Sequence, residues 1–368
     1  MKRALCSLDW ILLASLLSLA ALGLCVLYAA VYQGDMGLWQ KQLIFWGAGM
    51  TGFLILCFVP LRFLGLVSWP MYSIGLLLLM LIPLIGDVHM GARRWLDIGF
   101  TNLQPSEIMK WAMMFVLASW FATREARGFV NIGTPLLLVA VPAALILSQP
   151  DLGTTLVLLF ATVALLIAAG LPWRIFAAAL VLGIASLPVL WHFMHDYQKQ
   201  RVLTLLDPQS DPLGAGYHVI QSSIAIGSGG LFGKGFLQGT QARLHFLPEQ
   251  HTDFIFSVLA EEGGLIAVIL LLGLYATLIS RILLIAQRAH SRFASMLCIG
   301  IASIFTLYIT VNIGMVSGIF PVVGLPLPFI SYGGSALVTM LAALGLVMRV
   351  AIESYEKIPW QRPGSPLA

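Results

Sequence analysis

Residues 249–286 read EQHTDFIFSVLAEEGGLIAVILLLGLYATLISRILLIA. From Gly264 to Ala286 the run is long enough to cross a hydrocarbon core, which takes roughly 20 mostly apolar residues in a helix. Five ionisable side chains, Glu249, His251, Asp253, Glu261 and Glu262, stand at its threshold. Such a gathering is either a solvated rim or a chemical site, and the remainder of the chain bears on which.

Working outward, apolar runs of similar length recur, among them Trp10 to Tyr32 and Leu66 to Ile85. The 368 residues are 59% hydrophobic and 10% charged, against about a quarter charged in an average globular protein. The pattern predicts an all-α integral membrane protein, a single polytopic domain over 1–368. Its bundle of about ten transmembrane helices falls at 8–32, 42–59, 66–85, 106–122, 133–148, 154–171, 175–193, 263–286, 294–318 and 334–350. The first run exceeds the roughly 7 to 15 residues of a cleavable signal core and reads as an anchor. Pro142 and Pro188 fall inside spans, where they kink helices whose freed carbonyls neighbours can satisfy. Cys6, Cys25, Cys57 and Cys298 are scattered singly and read as small apolar residues.

Short basic loops mark the cytoplasmic side. Lys2, Arg3, Arg62, Arg124, Arg127, Arg174, Arg288 and Arg292 all fall on one side of this trace, which makes both termini cytoplasmic. Most acids go outward, including Asp35, Asp87, Asp97, Asp151, Asp196, Asp207, Asp211 and the acids of the opening stretch. Two outward segments exceed simple turns: 86–105, and the large extracytoplasmic loop 194–262, where function is expected because loops beyond about 15 residues are usually functional or disordered.

Several motifs separate by physical criteria. GSGGLFGKGF, Gly227–Phe236, lacks the glycine and the Ser/Thr that a phosphate-binding P-loop needs, and reads as a glycine-hinged loop whose Lys234 could touch an anionic head. His192, His195, His218, His245 and His251 show no zinc-ligand spacing. A hard divalent cation, Mg²⁺ or Mn²⁺, held by Asp or Glu together with a pyrophosphate, is the metal reading that stays open. In QPSEIMK, Pro105 suits a first helical turn, Glu107 complements the helix dipole, and Lys110 follows at i+3 about one turn inside the span. An intramembrane cation points to function by default, with pairing to Glu107 or snorkelling as the plain alternatives. GARRWLDIG sets Arg93 and Arg94 beside Trp95, suited to gripping a phosphate and packing on lipid or sugar, or to anchoring at the interface. Asp151 reads as a helix cap. Thr252 reads as an N-cap, which places Asp253 in the first turn of the following helix at the outer lipid boundary.

Together GARRWLDIG, QPSEIMK, QPDLGTT, HDYQKQRV, LDPQSDPLGAGYHVIQSSIAIGSGGLFGKG, FLPEQHTDFIFSVLAEE and FPVVGLPLPFISYGGS resemble the RodA group of the shape, elongation, division and sporulation (SEDS) family, in order and over nearly the whole chain. Ala336 departs from the second serine many members carry there. The resemblance implies a peptidoglycan glycosyltransferase of the inner membrane that polymerises lipid II on the outer face during cell elongation, with a class B penicillin-binding protein as partner. It matches Asp253 to the family's essential acid, and Arg94, Trp95, Glu107 and Lys110 to its extracytoplasmic cavity. On this reading Asp253 is the base, its pKa raised by burial and by Glu249, Glu261 and Glu262. Lys110 and Arg94 receive the diphosphate, and Glu107 orients Lys110. The rivals are a flippase for the lipid-linked precursor, which would spread charge through the depth of the bundle, and a scaffold that only positions a transpeptidase.

Overall fold

The computed structural model describes residues 8–89, 92–97, 102–194, 196–210, 214–243 and 249–356. Lys2, Arg3, Cys6, His195, Asp211 and His245 lie outside them. Ten long helices fall on the ten expected spans: α1 (Trp10–Val31), α2 (Met36–Phe58), α3 (Leu61–Ile85), α4 (Pro105–Thr123), α5 (Phe129–Ser148), α6 (Leu152–Ala168), α7 (Trp173–Phe193), α11 (Ile255–Arg288), α12 (Arg292–Val316) and α13 (Gly334–Glu356). Seven of these (α1, α2, α3, α5, α11, α12 and α13) are long and apolar enough by themselves to cross a membrane. Segment 194–262 carries short helices α8 (Asp196–Leu206), α9 (Ala215–Gly229) and α10 (Thr240–Arg243). The other expected loop holds three short antiparallel strands, β1 (Asp87–His89), β2 (Ala92–Asp97) and β3 (Asn102–Leu103), in the order β1-β2-β3. Pro142 and Pro188 lie inside α5 and α7.

Burial sorts the helices into an inner and an outer set. Helix α4 is closed off on nearly every side from Met109 to Ala118, which explains why it can be less apolar than its neighbours: it meets protein, not lipid. It packs against α3 and α12, while α12 also packs on α6 and α11, and α13 lies along α2. Helix α7 exposes nearly all its side chains, as a lipid-facing helix does.

The opening stretch contains a break that the apolar pattern hides. Helix α11 is interrupted at Gly264, whose backbone (φ 66°, ψ −164°) is far from helical. Backbone groups freed inside a membrane protein must find partners within the protein, and the glycine-rich turn after α9 supplies them. The amides of Leu265 and Ile266 donate to the carbonyls of Gly230 and Leu231 at 3.0 and 3.3 Å, while those of Lys234 and Gly235 donate to the carbonyls of Glu261 and Glu262 at 3.0 Å each. The two chains approach so closely that a Cβ on Gly264 would lie 2.3 Å from the Gly233 nitrogen. GSGGLFGKGF and EEGG are therefore two halves of one joint.

The joint also settles Glu261 and Glu262. The Glu261 carboxylate accepts from Lys234 Nζ (2.7 Å), the Thr240 amide (2.8 Å) and the Gln241 amide (3.1 Å). Glu262 accepts from the Leu237 amide at 3.1 Å. They clasp the loop and are not neighbours that raise the pKa of Asp253, contrary to the expectation from their spacing. Lys234 is likewise tied to Glu261, as an internal strut.

Gly264→Ala should destabilise the protein by about 2–5 kcal/mol, since it adds left-handed strain of about 1–2 kcal/mol to overpacking of about 1–3 kcal/mol. Thermal unfolding in detergent measures this, and an unchanged midpoint would show that the joint does not constrain the fold.

Candidate active site

Asp253 lies in the turn that leads into α11, one residue before its cap residue Phe254. The helix starts later than the Thr252 cap predicted, because tertiary bonds and not a side-chain cap hold this turn. Asn312, fully buried on α12, donates from Nδ2 to the Asp253 carbonyl (3.0 Å) and to the Leu325 carbonyl (2.8 Å). Ser331 Oγ donates to the Thr252 carbonyl (2.7 Å), and the Tyr332 amide donates to the His251 carbonyl (2.8 Å). Gln250 Nε2 reaches the Ala30 carbonyl at the end of α1 (2.8 Å). Thr252 Oγ1 instead donates to the Glu249 carboxylate at 2.9 Å. The His251 ring packs edge-on against Tyr332, centroids 5.9 Å apart.

Backbone strain gathers beside this turn, as it does at functional sites: Glu249 and Phe329 both adopt left-handed backbone, at φ 52° and 65°. Gly324, also left-handed, lies against the Asp253 carboxylate, where a Cβ would come 3.5 Å from Oδ2. Burial, and then the Glu249 carboxylate, push the Asp253 carboxyl up from about 3.8 to about 6, against the pull of the Arg201 guanidinium on α8. An acid that titrates close to neutrality is a stronger base than an ordinary aspartate.

A second polar cluster lies beneath. Pro105 opens α4 at its first helical position, so Glu107 and Lys110 share a face, and Lys110 Nζ donates to Glu107 Oε1 at 2.7 Å. Lys110 Nζ also bonds the Tyr308 hydroxyl on α12 and sits 4.9 Å from that ring's centroid. Thr339 on α13 donates to the other Glu107 oxygen at 3.3 Å. Lys110 is only 2% exposed and Tyr308 1%, so this lysine is paired, not snorkelling. Tyr308 and Asn312 are four residues apart on α12, one turn or about 6 Å along the axis. The Lys110 cluster and the Asp253 turn are thus fastened to neighbouring turns of one helix.

Arg94 and Trp95 lie on β2. Arg94 donates from Nε to the Gln149 carbonyl (2.8 Å) and from Nη2 to the Pro150 carbonyl (2.5 Å), which fixes the α5–α6 corner. Asp151 follows, capping α6 through the Thr154 amide (3.0 Å) and accepting from Gln104 (3.5 Å). Trp95, half-buried, occupies the next strand position and so points to the opposite face from Arg94. Arg93 is exposed and donates to the Pro83 carbonyl at 3.0 Å. Among the described residues no three His, Cys, Asp or Glu side chains converge to hold a metal.

Sequence reasoning singled out Asp253, Glu107 and Lys110 but missed Asn312, Tyr308, Ser331 and Arg201. The available signal was a lone asparagine in the apolar run of α12, since polar groups within spans seldom lack partners. Lys110→Met leaves Glu107 buried without its cation and should destabilise the protein by about 3–5 kcal/mol. Adding Glu107→Gln should recover much of that loss in a detergent unfolding assay; a double variant no better than Lys110→Met would show that the pair is not what matters.

Residues 9–356 match the FtsW/RodA/SpoVE cell cycle protein family. Peptidoglycan glycosyltransferase MrdB of Escherichia coli is 46% identical over 346 residues, 93% of each chain. The rod shape determining protein RodA of Thermus thermophilus superposes with a TM-score of 0.73 at 33% identity, covering 95% of this chain and 98% of that one. A chain from a peptidoglycan synthase complex, described as coordinating polymerization and crosslinking, does so with a TM-score of 0.81 at 37% identity, covering 95% and 99%. Ten membrane helices, a pinned aspartate turn and a match spanning nearly every described residue make one conclusion plain: the chain belongs to the FtsW/RodA/SpoVE family of membrane proteins, the SEDS family.

Proposed function

We propose that Asp253 is the general base with which this peptidoglycan glycosyltransferase polymerises lipid II into β-1,4-linked glycan strands. The observation that carries the reading is the Asp253 carboxyl itself, raised to about 6 on a turn whose backbone is pinned from α12 and the segment before α13 and whose Gln250 side chain reaches α1. The C4 hydroxyl of one lipid-linked sugar attacks the anomeric carbon of another, and its proton passes to Asp253. The bond from that carbon to the polyprenyl diphosphate breaks, and the diphosphate leaves with the electron pair. An α-linked donor becomes a β bond by this single inversion, so one base suffices, unlike the carboxylate pair of glycoside hydrolysis.

The remaining roles follow from how each group is held. Lys110, closed off behind Tyr308 and offset by Glu107, contributes positive potential toward the departing diphosphate and not a direct hydrogen bond. Arg94 positions the α5–α6 corner through its bonds to the Gln149 and Pro150 carbonyls and adds positive potential there for the diphosphate, and Trp95 packs against sugar or lipid. Thr339 links Glu107 to an apolar cleft of about 300 Å³ lined by Val59, Phe63, Met71, Trp111 and Leu346, which suits a polyprenyl tail. Any Mg²⁺ or Mn²⁺ would enter with the diphosphate, with Asp253 and Glu249 the carboxylates at hand.

The basic helix ends at Arg62, Arg124, Arg174, Arg288 and Arg292 support an orientation with both termini cytoplasmic and Asp253 facing outward from the inner membrane. The likeness to a chain from a complex that coordinates polymerization with crosslinking supports a class B penicillin-binding protein as partner.

Two measurements test the base. Asp253→Asn should abolish lipid II polymerisation while slightly raising the unfolding midpoint at neutral pH. The folded-state pKa is raised, so the ionised carboxylate opposes folding above it, by at most about 3 kcal/mol; polymerisation at the normal rate would remove Asp253 from the mechanism. The wild-type rate should rise with pH through an acid limb near 6. Glu249→Gln, which takes away a like charge, should move that limb to lower pH, and a limb that stays put would contradict the coupling.

A further inference from the structure

We propose that the end of the bundle opposite Asp253 holds a binding site for the headgroup phosphate of an anionic phospholipid from the cytoplasmic leaflet. A cavity of about 760 Å³ opens there between α3, α4, α12 and α13, with Arg62, Arg349, Ser119, Thr123 and Ser291 in its lining. Among the described residues neither guanidinium forms an ion pair or a hydrogen bond, and Arg349 Nε is buried without a partner. A buried, unsatisfied cationic donor is unfavourable unless an acceptor reaches it. Ser291 caps α12, accepting from the Ala294 amide at 3.2 Å, so the positive end of that helix also borders the cavity. Two arginines, three hydroxyls and a helix N-terminus around one space are the chemistry of a phosphate oxygen set. Glu353 is the carboxylate of this lining, leaving a formal charge of +1 from two guanidiniums and one acid.

The surroundings favour a lipid phosphate over a free one. The lining includes Leu66, 77% exposed on the lipid-facing side of α3, so an acyl chain leaving the cavity meets apolar surface at once. Next to it Gly65 faces open space: a Cβ built there meets nothing within 4 Å. The same end of the bundle carries Arg124, Arg174, Arg288 and Arg292, which on the orientation argued above makes it cytoplasmic, the side where basic pockets between helices take anionic lipid heads. The site is separate from the glycosyl-transfer chemistry and rests on the orientation alone.

Native mass spectrometry of the purified protein tests it, using phosphatidylglycerol, phosphatidylcholine with the same acyl chains, and inorganic phosphate. The wild type should retain phosphatidylglycerol in preference to phosphatidylcholine. Arg62→Gln with Arg349→Gln should weaken retention roughly twenty-five-fold, at about fivefold for each cation removed. Gly65→Leu keeps both arginines, fills the open space and should also lose the lipid, which decides the matter should the double variant fail to fold. Equal retention of phosphatidylcholine, or undiminished retention of phosphatidylglycerol by Gly65→Leu or by a folded double variant, would overturn the proposal. Displacement of the lipid by inorganic phosphate at matched concentration would overturn it in favour of a free-anion site. No arm of the experiment measures glycosyl transfer, so its failure would leave the role of Asp253 untouched.

Discussion

One buried carboxamide ties the reactive end of this molecule together. Asn312 divides its two N–H bonds between the Asp253 carbonyl and the Leu325 carbonyl, and so joins the turn before α11 to the extended chain before α13. In water such a bond contributes about 1 kcal/mol, but a buried carbonyl left without it loses its full solvation. In an apolar bundle no water stands ready to replace the donor. The position of the Asp253 carboxylate, beside Gly324 and within electrostatic reach of Glu249 and Arg201, follows from where its backbone is held. One turn along the same helix Tyr308 performs the matching task for Lys110.

The same economy of polar groups explains the broken helix. A continuous α11 would satisfy its own backbone, yet the chain gives up that regularity at Gly264 and takes its missing partners from the turn at 230–235. The exchange anchors the segment that follows α9 to the core of the bundle through main-chain bonds, reinforced by Glu261 and Glu262. That anchorage holds residues 261–266, at the close of the polar region that contains Asp253, to the turn at 230–235.

Much of this was legible in the sequence because lipid imposes a simple rule: runs of apolar residues long enough to cross it become helices. All ten expected spans are helical, seven of them long and apolar enough to cross by themselves. Local chemistry was legible as well, since Pro105 opens its helix, Glu107 and Lys110 pair within one helical turn and Asp151 caps its own helix. What could not be read were bonds made across large separations. Asn312 looks like an isolated polar residue until residues 253 and 325 are folded against it. Glu261 and Glu262 look like company for Asp253 until a loop some 20 residues earlier supplies their amides and lysine. Thr252 has the right identity for a cap, but its own carbonyl is claimed by Ser331 and that of His251 by the Tyr332 amide. Arg94, grouped by sequence with phosphate-binding arginines, has its guanidinium engaged by the carbonyls of Gln149 and Pro150.

The account stands on Asp253 being a carboxyl poised near neutrality by its surroundings. Infrared difference spectroscopy of the purified protein titrated with acid, with the Asp253→Asn spectrum subtracted to isolate this one group, reads that property directly. The account predicts a protonation midpoint near 6; a midpoint at the ordinary aspartate value of about 4 would contradict it.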